Sequence, residues 1–174
     1  MRAMVLLLML VVAACGDERQ AEAPPPQPMN ADAVGHYCGM ALGDHPGPKG
    51  QIQILSRKDP YWFSSARDTL AFSMLPEEPK DIAAIYVTAM DKAADWNRPG
   101  DETWVDARKA FYVVGSDATG GMGQREIVPF SAREAAQSFA GQRGGRVVPF
   151  DQMPRDAVLG DDTPAAQAHK GGHK

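Results

Sequence analysis

The chemistry in this chain starts with His36-Tyr37-Cys38-Gly39-Met40. In an extended segment alternate side chains share a face, so Cys38 and Met40 point the same way and His36 joins them. Paired soft sulfur donors select Cu(I), and less strongly Zn(II), over hard cations. A third sulfur stands in Thr119-Gly120-Gly121-Met122-Gly123, where glycine neighbours let a thioether approach a metal without crowding. The candidate metal ligands are Cys38, Met40 and Met122, with His36 as a further donor. His45, in a turn before Pro46, is a weaker candidate. His169 and His173 are spaced i, i+4 near the C-terminus and suit a metal only in a helical tail.

Of two cysteines, the first is accounted for by export. Arg2 supplies a positive start, and Ala3 to Ala14 is an apolar run too short to span a bilayer as a mature helix. It runs into Val12-Ala13-Ala14-Cys15-Gly16, which resembles the lipobox of bacterial lipoproteins. The expectation is a signal peptide over residues 1–14 and a lipid on Cys15. Cys38 is then left without an intramolecular partner in an oxidising compartment. Such a thiol is either buried and inert or functional, and the His-x-Cys-x-Met setting favours function.

Charge and composition narrow the partners. Lys and Arg number 18 against 22 Asp and Glu, and no basic stripe interleaves with aromatics, so nucleic acid is not an expected partner. With 44% hydrophobic and 23% charged residues, 174 residues suffice for one domain of ordinary size.

The elements that must position the sulfurs follow from pattern. Residues 15–33 read as lipid anchor and tether, because Pro24-Pro25-Pro26-Gln27-Pro28 favours extended polyproline II. Residues 34–150 read as the copper-binding domain and 151–174 as an irregular, mobile tail. Within the domain, Gln51 to Leu55 alternates as a half-buried strand, and Tyr61-Trp62-Phe63 is a short aromatic strand. A helix opens at Ser64 or Ser65 and ends near Leu75. Strands are expected over Asp81 to Met90, Ala110 to Val114, Gln124 to Val128 and Arg146 to Phe150. A second helix over Ser131 to Ala140 carries a capping box, Ser131-x-x-Glu134. Met74 and Met90 fall on these elements as packing residues.

An internal echo ties the halves together. Phe63-Ser64-Ser65-Ala66-Arg67-Asp68 resembles Phe130-Ser131-Ala132-Arg133-Glu134, and a second phenylalanine follows nine residues after the first in each, Phe72 and Phe139. The expected fold is α+β, with two similar ββαβ-type units and mainly antiparallel sheet.

Enzyme signatures are missing: no Gly-x-Ser-x-Gly, phosphate-binding glycine loop, His-Glu-x-x-His or Cys-x-x-Cys occurs. The residues leave three classes open: a metal-binding module, a periplasmic thiol-dependent enzyme using Cys38 with His36 as base, or a structural lipoprotein with no metal.

Taken together, the lipobox, Tyr37-Cys38-Gly39-Met40, and the stretch from Gly120-Gly121-Met122-Gly123 through Val128-Pro129-Phe130 to Gly144-Gly145 resemble the NosL family. These are copper-chaperone lipoproteins that serve nitrous oxide reductase. The resemblance covers roughly residues 34–150. It implies a membrane-anchored periplasmic Cu(I) carrier without enzymatic activity. That carrier would supply the reductase's copper–sulfur centre through an ABC-transporter-linked periplasmic assembly protein. It also implies paired ββαβ units like the metal-binding part of organomercurial lyases, and it assigns the soft-donor role to Cys38, Met40 and Met122.

Overall fold

The structure, a computed structural model, describes residues 23–160. The signal segment, Cys15, His169 and His173 lie outside the described residues. The first unit runs β1 (Gly50–Ile54), β2 (Tyr61–Phe63), α1 (Ala66–Met74) and β3 (Ile82–Thr88). After a short β4 (Trp104–Asp106) the second runs β5 (Phe111–Val114), β6 (Val128–Phe130), α2 (Arg133–Arg143) and β7 (Arg146–Pro149). In each unit the first strand pairs antiparallel with the other two. The sheet orders are β2-β1-β3-β4 and β6-β5-β7, so the two ββαβ units share one connectivity.

The sequence echo has a packing cause. Phe63 and Phe72 meet edge to face at 5.4 Å, and Phe130 and Phe139 meet at 5.2 Å. Each pair pins its helix to the strand before it. The helix starts differ, however. Ser65 caps α1, its side chain accepting from the Asp68 N–H at 3.0 Å. The expected capping box at Ser131 does not form. Ala132 is the N-cap of α2 and makes no side-chain cap bond. Ser131 instead bonds the Asp91 carboxylate through its N–H at 2.7 Å and its hydroxyl at 2.6 Å. A carboxylate accepting two bonds outcompetes the local cap. The strand expected over Gln124 to Val128 is displaced to Val128–Phe130.

The proline-rich segment is not free tether along its whole length. A polyproline backbone has no internal hydrogen bonds, so its polar groups need outside partners. They find them on the face of β1 and β3 that lies away from α1. The Gln51 amide donates to Gln27 O at 2.9 Å and accepts from Gln27 N at 2.8 Å. Gln53 donates to Pro25 O at 2.7 Å, and Tyr86 OH to Pro24 O at 2.7 Å. This corrects two expectations. Part of 15–33 is a docked strap, and β1 is buried on both faces rather than half-buried, since the strap covers its glutamines.

The tail expectation is corrected as well. Within 151–174, α3 (Arg155–Leu159) packs on α1, burying Val158 and Met153, and Val158 O accepts from Arg67 Nε at 2.7 Å. Ala157 and Leu159 pack partly buried beside them, so a segment whose composition reads as polar is held by its few apolar side chains. The main core joins the units: Ile52, Phe63, Leu70, Phe72 and Val87 pack with Tyr112, Val114 and Val148. The other face of β5 packs Val113, Val128 and Phe130 against Ala136 of α2. No helix among the described residues is long and apolar enough to cross a membrane.

Candidate functional site

Cys38 sits in a tight loop, not an extended strand. Val34 bridges Ala41, Gly35 N donates to Met40 O at 2.9 Å, and Gly39 N donates to Gly35 O at 2.7 Å. Gly39 takes φ +66°, a left-handed conformation that closes the loop and that other residues adopt only at a cost. Alternation therefore fails here, and the expected common face of His36, Cys38 and Met40 does not exist. The His36 ring is held by aromatics, 4.5 Å from Tyr61 and 5.6 Å from Phe72. It lines a separate groove with Arg57 and Tyr61. The Cys38 thiol lies 3.6 Å from Ser64 Oγ, just before α1, and is half-buried. It rests against Gly35, where any side chain would collide with the sulfur. Tyr37 anchors the loop from outside, its hydroxyl donating to Glu78 at 2.8 Å. Burial, then that bond, pushes the Tyr37 hydroxyl well above its ordinary pKa.

Met122 rides the tip of a narrow hairpin. Its base is the Glu126 N–H bond to Ala118 O at 2.9 Å and the Thr119–Arg125 bridge. Higher up, Gly120 N donates to Gln124 O and Gly123 N to Gly120 O, each at 2.9 Å. The glycines serve close approach more than freedom. A side chain on Gly120 would run into the Glu126 carboxyl, and one on Gly121 into the His45 ring. His45 Nδ1 donates to Gly121 O at 3.4 Å, while its buried Nε2 has no partner among the described residues. His45 thus grips the hairpin from the segment that carries Cys38. The side chain of Met122 is left 51% exposed at the tip.

Cys38 and Met122, 84 positions apart in the chain, line one cavity of about 570 Å³ together with Arg67, Asp68 and Glu126. Leu75 and Val158 supply apolar wall. Met40 does not line it; it stands 41% exposed beside Gly39. Among the described residues no three His, Cys, Asp or Glu side chains converge on a point. The structure therefore gathers two of the three expected sulfurs and separates His36 from them.

Two residues that pattern alone did not single out, Glu126 and Lys49, are buried near the hairpin base. Burial pushes the Glu126 carboxyl up from 4.5 to about 8, against the N–H groups of Ile127 and Arg67 that favour its ionised form. Burial likewise lowers Lys49 from 10.5 to about 8. Glu126 binds its proton more tightly folded than unfolded, so its contribution to stability falls as pH rises from 4.5 to about 8. Lys49, lowered in the folded state, makes stability rise again from about 8 to 10.5. Asp68, raised by burial, adds to the first limb. Urea unfolding midpoints should fall across the first window, and Glu126→Gln should remove most of that fall. An unchanged slope in the variant would contradict the assignment.

Comparison with known proteins finds relatives in both sequence and fold. The NosL family model covers residues 26–158. The copper-binding lipoprotein NosL of Achromobacter cycloclastes is 44% identical over 90% of this chain and 81% of its own length. The copper-binding lipoprotein NosL of Stutzerimonas stutzeri is 31% identical over 98% of this chain and 86% of its own. The crystal structure of the copper chaperone NosL from Shewanella denitrificans superposes with a TM-score of 0.70 at 34% identity. That match covers 76% of this chain and 98% of the other. With sequence, family model and fold in agreement, the chain belongs to the NosL family.

Proposed function

We propose that this protein is a lipid-anchored periplasmic Cu(I) chaperone, binding one copper ion through Cys38 and Met122 with Met40 as an outer donor. Its cargo serves the copper–sulfur centre of nitrous oxide reductase, handed over through an ABC-transporter-linked periplasmic assembly protein. The observation that carries the reading is that a thiol and a thioether from distant segments line one cavity. Cu(I) accepts low coordination, so two sulfurs hold it and leave a position open for an acceptor's ligand. An open position suits transfer, whereas a closed cage releases slowly. The relatives are named copper-binding lipoproteins and a copper chaperone, which supports both cargo and anchor. A thiol-dependent enzyme using Cys38 has no base in His36, whose ring is packed among aromatics on another groove. A native mass spectrum of the soluble domain with excess Cu(I) should show one copper per chain. A spectrum with no bound copper would sink the proposal.

The anchor has its own test. A single acyl chain binds membranes only marginally, so stable attachment at Cys15 requires more than one chain. Cys15→Ser should yield an unlipidated precursor or a soluble form, read by membrane fractionation and intact mass. A wild-type protein that is wholly soluble and carries no acyl mass would remove the lipid from the account. Because the strap is docked from Pro24 onward, the covalent reach from Cys15 to the domain is at most roughly 30 Å.

A further inference from the structure

The two sulfurs reach one cavity from different halves of the chain, and something must set their separation. Cys38 is supported by Ser64, in the turn that leads into α1. Met122 is carried by the hairpin from Ala118 to Glu126. The turn and the hairpin meet at Arg67, whose Nη1 donates to Gln124 Oε1 at 3.3 Å on the exposed side and whose backbone N–H reaches Glu126 on the buried side. Glu126 Oε1 accepts the Arg67 N–H at 3.2 Å and the Ile127 N–H at 2.9 Å. Arg67 N–H is one of the donors that the start of α1 leaves without a helical partner. The other carboxyl oxygen of Glu126 occupies the space above Gly120 that a Cβ would fill. Glu126 is 3% exposed, so neither contact is shared with bulk water. Glu126 belongs to the lining of the same cavity as both sulfurs.

We propose that Glu126 is a positioning residue for copper: its buried carboxyl locks the Met122 hairpin to the Ser64–Arg67 turn and thereby sets the spacing of Cys38 and Met122. The inference rests on the Cys38–Met122 reading of the site. Without the lock, Met122 leaves the cavity that Cys38 lines while Cys38 stays. The hydrogen bonds need an acceptor oxygen of the right reach and not a charge, so glutamine, which keeps a carbonyl oxygen at the same position, should substitute. Gly120→Ala tests the same lock from the other side, since its Cβ displaces the carboxyl while leaving Glu126 in the chain.

The experiment is Cu(I) competition against a chromogenic chelator on folded variants, checked by circular dichroism. Glu126→Ala and Gly120→Ala should each weaken binding about tenfold, as Met122→Ala does. Combining either with Met122→Ala should add nothing further, because both act through Met122. Glu126→Gln should stay within about twofold of wild type. A general loss of stability would instead add to the Met122→Ala loss and would not be rescued by glutamine. Should Glu126→Ala fail to fold, Gly120→Ala carries the test with the same expected numbers. Wild-type binding in Glu126→Ala or Gly120→Ala, or full additivity with Met122→Ala, overturns the role of Glu126 while Cys38→Ala still loses copper. Wild-type binding in Cys38→Ala overturns the underlying site and this role with it.

Discussion

Cys38→Ala should lose nearly all Cu(I) binding, by at least about a thousandfold, equivalent to roughly 4 kcal/mol. The thiolate is the only charged soft donor in the proposed set, and a thioether brings no charge to offset desolvation of the cation. Met122→Ala should weaken binding about tenfold, and Met40→Ala by less, because Met40 stands outside the cavity that Cys38 and Met122 share. Copper displaces the thiol proton, so affinity in the wild type should fall as the solution is acidified, and Cys38→Ala should lose that dependence. Met122→Ala should keep it, since a thioether has no proton to exchange. The comparison separates the charged donor from the neutral one in a single titration series.

Phe72→Ala should destabilise the fold by about 3–5 kcal/mol, well above the effect of the equivalent change at Phe139. The two phenylalanines occupy matching places in the sequence echo, yet Phe72 is fully buried and Phe139 only partly so. Phe72 touches Phe63, Tyr61 and the His36 ring, so it stands beneath the loop that carries Cys38. Its loss leaves a cavity in the shared core and removes the floor of that loop. Phe139 instead stacks on Trp96 at the surface of the second unit, 6.5 Å between rings. Urea unfolding of both variants checks the difference. Equal losses would show that the two units carry equal shares of the core.

The pattern of the chain reveals most of its architecture. The Ser65 cap, the β2 aromatics and the paired phenylalanines are local signals, and each acts through contacts within one unit. The places where pattern misleads share a different cause. The loop at Cys38 depends on Gly39 at positive φ and on bonds back to Gly35, so a five-residue motif read by alternation takes the wrong shape. Ser131 is drawn from its cap by Asp91, forty positions away. The strap from Pro24 to Gln27 and the packing of Val158 are decided by surfaces that other elements present. At the site, soft-donor chemistry points to Cys38 and Met122, because sulfur type is visible in the sequence. Glu126 is not, and His45 is visible only as a weak ligand candidate, because their roles lie in burial against Gly120 and Gly121. The adjacent glycines were the one local sign that something presses close to the hairpin.

The most direct measurement is anaerobic Cu(I) competition between the protein and a chromogenic chelator, run on wild type, Cys38→Ala and Met122→Ala across a series of pH values. Wild type should withdraw one equivalent of copper with an affinity that declines on acidification. Met122→Ala should follow the same pH course at weaker affinity, and Cys38→Ala should leave the copper on the chelator. If Cys38→Ala competes as well as wild type, the copper site lies elsewhere in the chain, with His169 and His173 the next residues to replace.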